Sequence, residues 1–351
     1  MRGNSYSPNF ATSNADYVTV CVTTWLLVGV VIDGWAHQNR TLEETFFTPW
    51  HAIFYSGYFA TLGWIAYLRI RRLRLHMGGA EPAYGLAEVG LLVFALGGVA
   101  DLIWHTAYGI EVDVEALVSP PHLVLLCGTF IILSTPFRAN AEAHRRGLSL
   151  SSGPATLSIA LSTGLVGFFL QYLNPLLISS MTNVPYNEIR RADLTPALEE
   201  FFVRQVQIRG IASVLVTSAV LAIATSQALR LKGKFTLTTV YVIFGILMGA
   251  QNGYKIPFGI VALLIAGALG DVVRAGLQRL QYEFRLTVTI VAFVSSLTIG
   301  SGYFAALSMT FPIEWGPGLV GGSVVLASLI SCLLAYFASS NQPDVVNRSG
   351  D

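Results

Sequence analysis

Long apolar runs separated by short polar links dominate the chain. A helix needs about 20 apolar residues to cross the hydrocarbon core of a bilayer, and counting such runs gives about ten spans. They fall near residues 17–37, 50–69, 86–106, 120–137, 156–177, 204–229, 236–253, 257–274, 286–309 and 317–338. The runs lack the alternation of apolar and polar positions that marks barrel strands, so the expected fold is all-α, a polytopic membrane protein of about 10 transmembrane helices.

The polar links set an expected orientation. Arg69, Arg71, Arg72 and Arg74 follow the second run, Arg138, Arg145 and Arg146 follow the fourth, and Arg230, Lys232, Lys234, Arg274, Arg279 and Arg285 occupy later links on the same side. The excess of Lys and Arg makes that side cytoplasmic and, with an even number of spans, both termini cytoplasmic. The opposite links are acidic or mixed, with Glu43, Glu44, Glu111, Asp113 and Glu115 in the first two. Between the fifth and sixth runs lies a longer outer segment, where Asp193-Leu194-Thr195-Pro196 reads as a helix start. Two roles remain open for it, a lid on the membrane surface or an extended beginning of the sixth span.

Composition sharpens the class. The chain is 53% hydrophobic and 12% charged with a mean hydropathy of +0.60, whereas about a quarter of a soluble domain is charged. A net charge of +1 and the lack of basic runs with interleaved aromatics exclude nucleic acid as an expected partner. Cys21, Cys127 and Cys332 stand singly in apolar runs, which suggests neither a disulfide framework nor a thiolate metal site.

One pattern occurs twice. Asp33-x3-His37 leads through Glu44 to Thr48-Pro49-Trp50-His51, and Asp101-x3-His105 leads through Glu115 to Ser119-Pro120-Pro121-His122; Gly57 and Gly128 each stand six residues after the second histidine. The offset is 68 residues at the aspartate (33 to 101) and 71 at the second histidine (51 to 122), as expected of a duplicated two-helix hairpin. The expected organisation is therefore a polar N-terminal segment at 1–16, a duplicated four-helix module at 17–137 (repeats about 17–70 and 86–137), a six-helix membrane module at 138–338 and a disordered tail at 339–351.

The repeated residues have a chemistry in common. Asp and His four apart share a helix face. Thr48 and Ser119 suit an N-cap, Pro49 and Pro120 the first helical position, and His51 and His122 then sit in a first turn whose dipole favours neutral imidazole, the metal-binding form. Ionisable groups inside a membrane are costly and mark function. The expected metal ligands are Asp33, His37, His51, Asp101, His105 and His122, with Glu44 and Glu115 as outer ligands or proton-transfer groups. Helix clamps made of hydrogen-bonded Asp–His pairs are one alternative and b-type haem is another, although haem requires no paired carboxylates. Asn39, Tyr55, Tyr108 and Glu111 could support the ligands; Gln171, Asn174, Arg204, Arg209, Gln251, Asn252 and Lys255, at the outer ends of later spans, could line an approach or satisfy backbone freed by Pro175 and Pro257. Imidazole and carboxylate suit copper, zinc or iron.

Asp101-x3-His105 followed by His122 at the head of the next helix resembles the motif of the membrane C subunit of particulate methane and ammonia monooxygenases. The likeness covers these three residues and their topology. It implies copper near the outer face of the membrane and oxidative chemistry. The expected function is that of a membrane metalloprotein of the plasma or inner membrane, with an extracytoplasmic site acting as an oxidase or monooxygenase on a small or lipophilic substrate. The lipid bilayer and a membrane or redox subunit are its expected partners. Two other classes compete: a transporter of metal ions or small solutes, and a non-catalytic subunit or assembly factor with a metal-stabilised scaffold.

Overall fold

The computed structural model describes residues 13–39, 48–75, 81–109, 111, 114–251, 253 and 255–339; the side chains of residues 13 and 37–39 lie outside that description. The fold is all-helical. In chain order the helices are α1 (Ser13–Asn39), α2 (Pro49–Arg74), α3 (Pro82–Tyr108), the short α4 (Val114–Val118), α5 (Pro120–Leu133), α6 (Thr135–Arg145), α7 (Ser152–Phe169), α8 (Asn183–Arg191), α9 (Pro196–Ala228), α10 (Thr236–Gln251), α11 (Pro257–Arg279), α12 (Phe284–Ser308) and α13 (Pro317–Ala338).

A helix overlaps every segment expected to be a span. Among the described residues, seven are long and apolar enough to cross a membrane: α1, α3, α7, α9, α11, α12 and α13. An eighth is obtained if α5 and α6, bent by 42° at their junction, form one broken span. The bend has a local cause. Pro136 has no backbone N–H to give to the preceding turn, so the helix cannot continue straight. Arg138 donates to the exposed carbonyl of Ile131 (2.9 Å), and Ser158 of α7 donates to that of Leu133. Of the remaining expected spans, α2 is diluted by His, Tyr and Trp positions and α10 has only 16 residues.

The chain divides into two compact units. The first comprises residues 1–172, 231–233 and 243–255, so α6, α7 and the end of α10 join the four helices expected to form a separate module. The second comprises residues 173–230, 234–242 and 256–351.

In the first unit, α1 packs antiparallel on α2 and α3 on α5, while α2 also touches α3 and α5 touches α1. Each hairpin closes on two glycines. A Cβ on Gly29 would lie 2.5 Å from Phe54 Cα and one on Gly57 2.6 Å from Leu26 N; a Cβ on Gly97 would lie 3.0 Å from Leu125 N and one on Gly128 2.6 Å from Phe94 N. Only a hydrogen in place of the side chain allows backbones this close. Apart from the glycines themselves, Leu26, Phe54, Phe94 and Leu125 belong to one buried cluster with Tyr58, whose ring stacks on Phe94 at 4.7 Å.

In the second unit, Asp271 of α11 caps α10 by accepting from the backbone N–H groups of Leu237 (3.2 Å) and Thr238 (3.0 Å). The outer segment takes the second expected role, an extended beginning of the span that follows it. α9 begins at Pro196 after Thr195, as its helix-start signal predicts, and the residues before it form the separate helix α8. The end of α12 and the link to α13 clasp α8: Asn183 N–H donates to Pro312 O (3.1 Å), Glu314 N–H to Met181 O (3.0 Å), and Trp315 Nε1–H to Tyr186 Oη (2.9 Å). Arg190 pairs with Glu314 at 2.8 Å and holds its carboxyl below the usual carboxylate range. Because that value is depressed, the pair's contribution is complete at neutral pH and fades as the pH falls through the lowered value.

Two outcomes follow from this packing. Gly128→Ala should destabilise the protein by about 1–3 kcal/mol through overpacking, measured by chemical unfolding in detergent. Tyr186→Phe should cost about 1–3 kcal/mol because it leaves the buried Trp315 N–H without an acceptor, read as a lowered unfolding midpoint.

Candidate metal centre

The glycine contacts fix what each hairpin brings together. In the first, Gly29 meets Phe54; one turn toward the loop on each helix lie Asp33 and His51. In the second, Gly97 meets Leu125, and the same step reaches Asp101 and His122. Antiparallel helices in this register must place an aspartate across from a first-turn histidine. The measured separations agree: Asp33 Oδ1 to His51 Nε2 is 3.6 Å and Asp101 Oδ1 to His122 Nε2 is 3.3 Å.

The helix starts orient the rings. Thr48 is the N-cap of α2 with Pro49 in its first turn, and Ser119 stands at the N-cap of α5 with Pro120 in its first turn, as expected; Thr48 caps with its side chain, whereas Ser119 makes no side-chain cap bond. Thr48 Oγ1 accepts the His51 backbone N–H (3.1 Å) and also contacts His51 Nδ1 (3.2 Å). Ser119 Oγ contacts His122 Nδ1 at 2.7 Å. In both copies the cap hydroxyl engages Nδ1 and Nε2 faces the aspartate. With the ring proton on Nδ1, Nε2 presents its lone pair, which is how an outer hydrogen bond fixes the tautomer of a metal-binding histidine.

Asp101, His105 and His122 form the densest group. Each offers a ligand atom within 4.8 Å of the others. Asp101 Oδ1 is 3.3 Å from Nε2 of both histidines, and the two rings lie edge-to-face with centroids 5.8 Å apart. The other nitrogen of His105, Nδ1, meets Gly109 O at 3.2 Å and Glu111 Oε2 at 3.4 Å. Asp101 is 1% exposed, and its Oδ1 accepts no hydrogen bond of ordinary geometry. A buried carboxylate oxygen at that distance from two imidazoles is poorly served by the protein alone. A tetrahedral ion with ligand bonds of about 2.0–2.1 Å has ligand–ligand edges of about 3.3–3.4 Å. The donor set and spacing therefore fit a transition metal.

The two copies face one chamber. Asp33, His51, Asp101 and His122 all line a cavity of about 60 Å³, closed by Phe54, Leu117, Leu125 and, from the end of α7, Phe168, Phe169 and Gln171. Phe168 enters beside Asp33 because Gly34 has no side chain; a Cβ there would lie 2.2 Å from the ring tip. The second copy has Leu102 at the matching position, so α7 closes the chamber from the first copy's side.

Not every expected residue takes part. The side chain of His37 and the whole of Glu44 lie outside the described residues, and so does Asn39 beyond its backbone. Glu115 is exposed on α4 and does not line the chamber; Glu111 is the outer carboxylate that approaches the cluster. Tyr108 is 75% exposed, whereas Tyr55 packs its hydroxyl over Gly98, one turn from Asp101. Gly29 and Gly97 were not singled out from sequence, although their 68-residue offset (29 to 97) matches that of the aspartates.

No family model matches the chain, and no curated protein or solved structure shows significant similarity to it. The site thus rests on its own geometry.

Ser119→Ala removes the contact that orients His122. It is expected to weaken metal affinity by about 10–100-fold while the helical circular dichroism is retained, measured by competition with a chelator of known affinity.

Proposed function

We propose that this is a multi-pass membrane metalloprotein whose ion is held by Asp101, His105 and His122, with Asp33 and His51 as the matching pair of a duplicated hairpin. The observation that carries this reading is Asp101 Oδ1, buried, accepting no ordinary hydrogen bond and 3.3 Å from two imidazole Nε2 atoms. A helix clamp would place at least one of those contacts in good hydrogen-bond geometry, which is the reason for preferring a metal.

The mixed ligands suit copper, zinc or iron, and the likeness of the motif to the copper-binding C subunit favours copper. When bound, the ion supplies Lewis acidity and, if copper or iron, electron transfer. The chain's own residues then have distinct tasks. Asp101 neutralises charge between the two histidines. Ser119 and the Gly109 carbonyl fix the His122 and His105 rings. Glu111 stands where it can hold a proton at His105 Nδ1. The phenylalanine and leucine walls favour a small or lipophilic substrate. The reading is therefore oxidative chemistry, with the site on the extracytoplasmic side as the Lys and Arg bias of the links suggests. Helices α9 to α13 offer little support for an ion path: the buried Asp271 is committed to capping α10, and Arg274 donates to Thr236 at the same cap.

Elemental analysis of protein purified under mild conditions tests the reading. A stoichiometric transition metal is expected in the wild type and at least a tenfold loss in His122→Ala and Asp101→Asn. Unchanged metal content in both variants would refute the ligand assignment.

A further inference from the structure

Two polar residues outside the ligand set line the chamber: Thr129, whose hydroxyl donates to Leu125 O in its own helix, and Gln171. Gln171 follows α7 in a single 3₁₀ turn, is 5% exposed and lines the cavity with Phe168 and Phe169. Its Nε2 makes no hydrogen bond to the protein among the described residues. A buried amide with no partner costs stability, and such a group persists where something other than the fold requires it. Thr129 spends its proton on Leu125 O and the phenylalanine and leucine walls are apolar, so besides the Asp and His groups opposite this amide is the N–H donor placed to orient a guest.

Size restricts that guest. A cavity of about 150 Å³ lined by Leu, Ile and Phe accommodates benzene, and a single water needs about 10–15 Å³. The chamber here, at about 60 Å³, exceeds the needs of one water and falls well short of an aromatic ring. By proportion it holds about two to four heavy atoms. The polar partner that satisfies a primary amide whichever way the amide is turned is a hydroxyl, because it both donates and accepts.

We infer that the chamber is a binding pocket for a short-chain aliphatic alcohol of about two to four heavy atoms, with Gln171 hydrogen-bonded to its hydroxyl and the phenylalanine walls against its carbon chain. Gln171 is thus a positioning residue. That the guest is the substrate rests on the metal reading above; that it binds does not.

The test is saturation-transfer NMR on detergent-purified full-length protein, with 1-propanol and 1-hexanol as probes, before and after stripping with a chelator. The wild type should give a 1-propanol signal in both states and a much weaker one with 1-hexanol. Gln171→Met, nearly isosteric, should reduce the 1-propanol signal at least fivefold and raise the thermal midpoint of the ligand-free protein, because it removes the orphaned amide; a merely structural glutamine would lower that midpoint. Ala116→Leu, which adds bulk to the chamber from a lining position that is neither a proposed ligand nor Gln171, should abolish the signal with metal content retained, so the pocket remains testable if the first variant fails to fold. Equal 1-propanol signals in the wild type and either variant, or equal signals from the two alcohols, would overturn the inference. A 1-propanol signal that depends on Gln171 in a protein containing no metal would leave the pocket standing and remove the metal reading.

Discussion

The contact between α1 and α2, and its counterpart between α3 and α5, governs the geometry of the first unit. Four glycines bring the paired backbones so close that a Cβ at any of them would lie 2.5–3.0 Å from the facing chain, a distance a larger residue meets only by shifting its neighbours. Inside a bilayer apolar surfaces gain little from leaving lipid, so close backbone approach and dispersion must hold helices together. Because the helices run antiparallel, a fixed contact also fixes every residue pair along them. The aspartates and first-turn histidines then face each other as a consequence of where the glycines are.

That placement carries an electrostatic cost that the fold partly meets by local means. The hydroxyls of Thr48 and Ser119 meet the imidazoles at Nδ1, the Gly109 carbonyl meets His105 with Glu111 nearby, and Asp101 remains buried between two rings. A carboxylate in such surroundings wants more positive charge than neutral imidazole supplies. The same groups that are expensive to bury are the ones suited to hold an ion, which would supply the missing charge.

The two helix pairs are alike in register but unlike in surroundings. Gly34 admits the ring of Phe168, and the end of α7 then closes the chamber with two phenylalanines and an amide. The second copy adds the tighter group, since His105 and Glu111 are drawn in beside Asp101 and His122. One helix pair thus receives the aromatic wall while the other gathers the denser Asp–His group, a division that the repeated pattern alone would not suggest.

Much of this was legible in the chain because it depends on local rules. Apolar run length gave the helices, Thr-Pro and Ser-Pro gave the starts of α2 and α5, and the spacing of Asp33, His51, Asp101 and His122 gave the repeat. Local rules failed where an outcome depends on distant partners. Whether α5 runs straight depends on Pro136 together with Arg138 and Ser158; that Glu111 and not Glu115 approaches His105 is a matter of tertiary placement; and Gln171 is one of several polar residues at span ends until α7 sets it against the Asp and His groups. The sequence by itself determined helices, caps and donor types, since each is fixed within a few residues by backbone hydrogen bonding and side-chain chemistry. The tertiary structure decided which donors converge and what encloses them, because convergence is set by helix contacts between residues far apart in the chain.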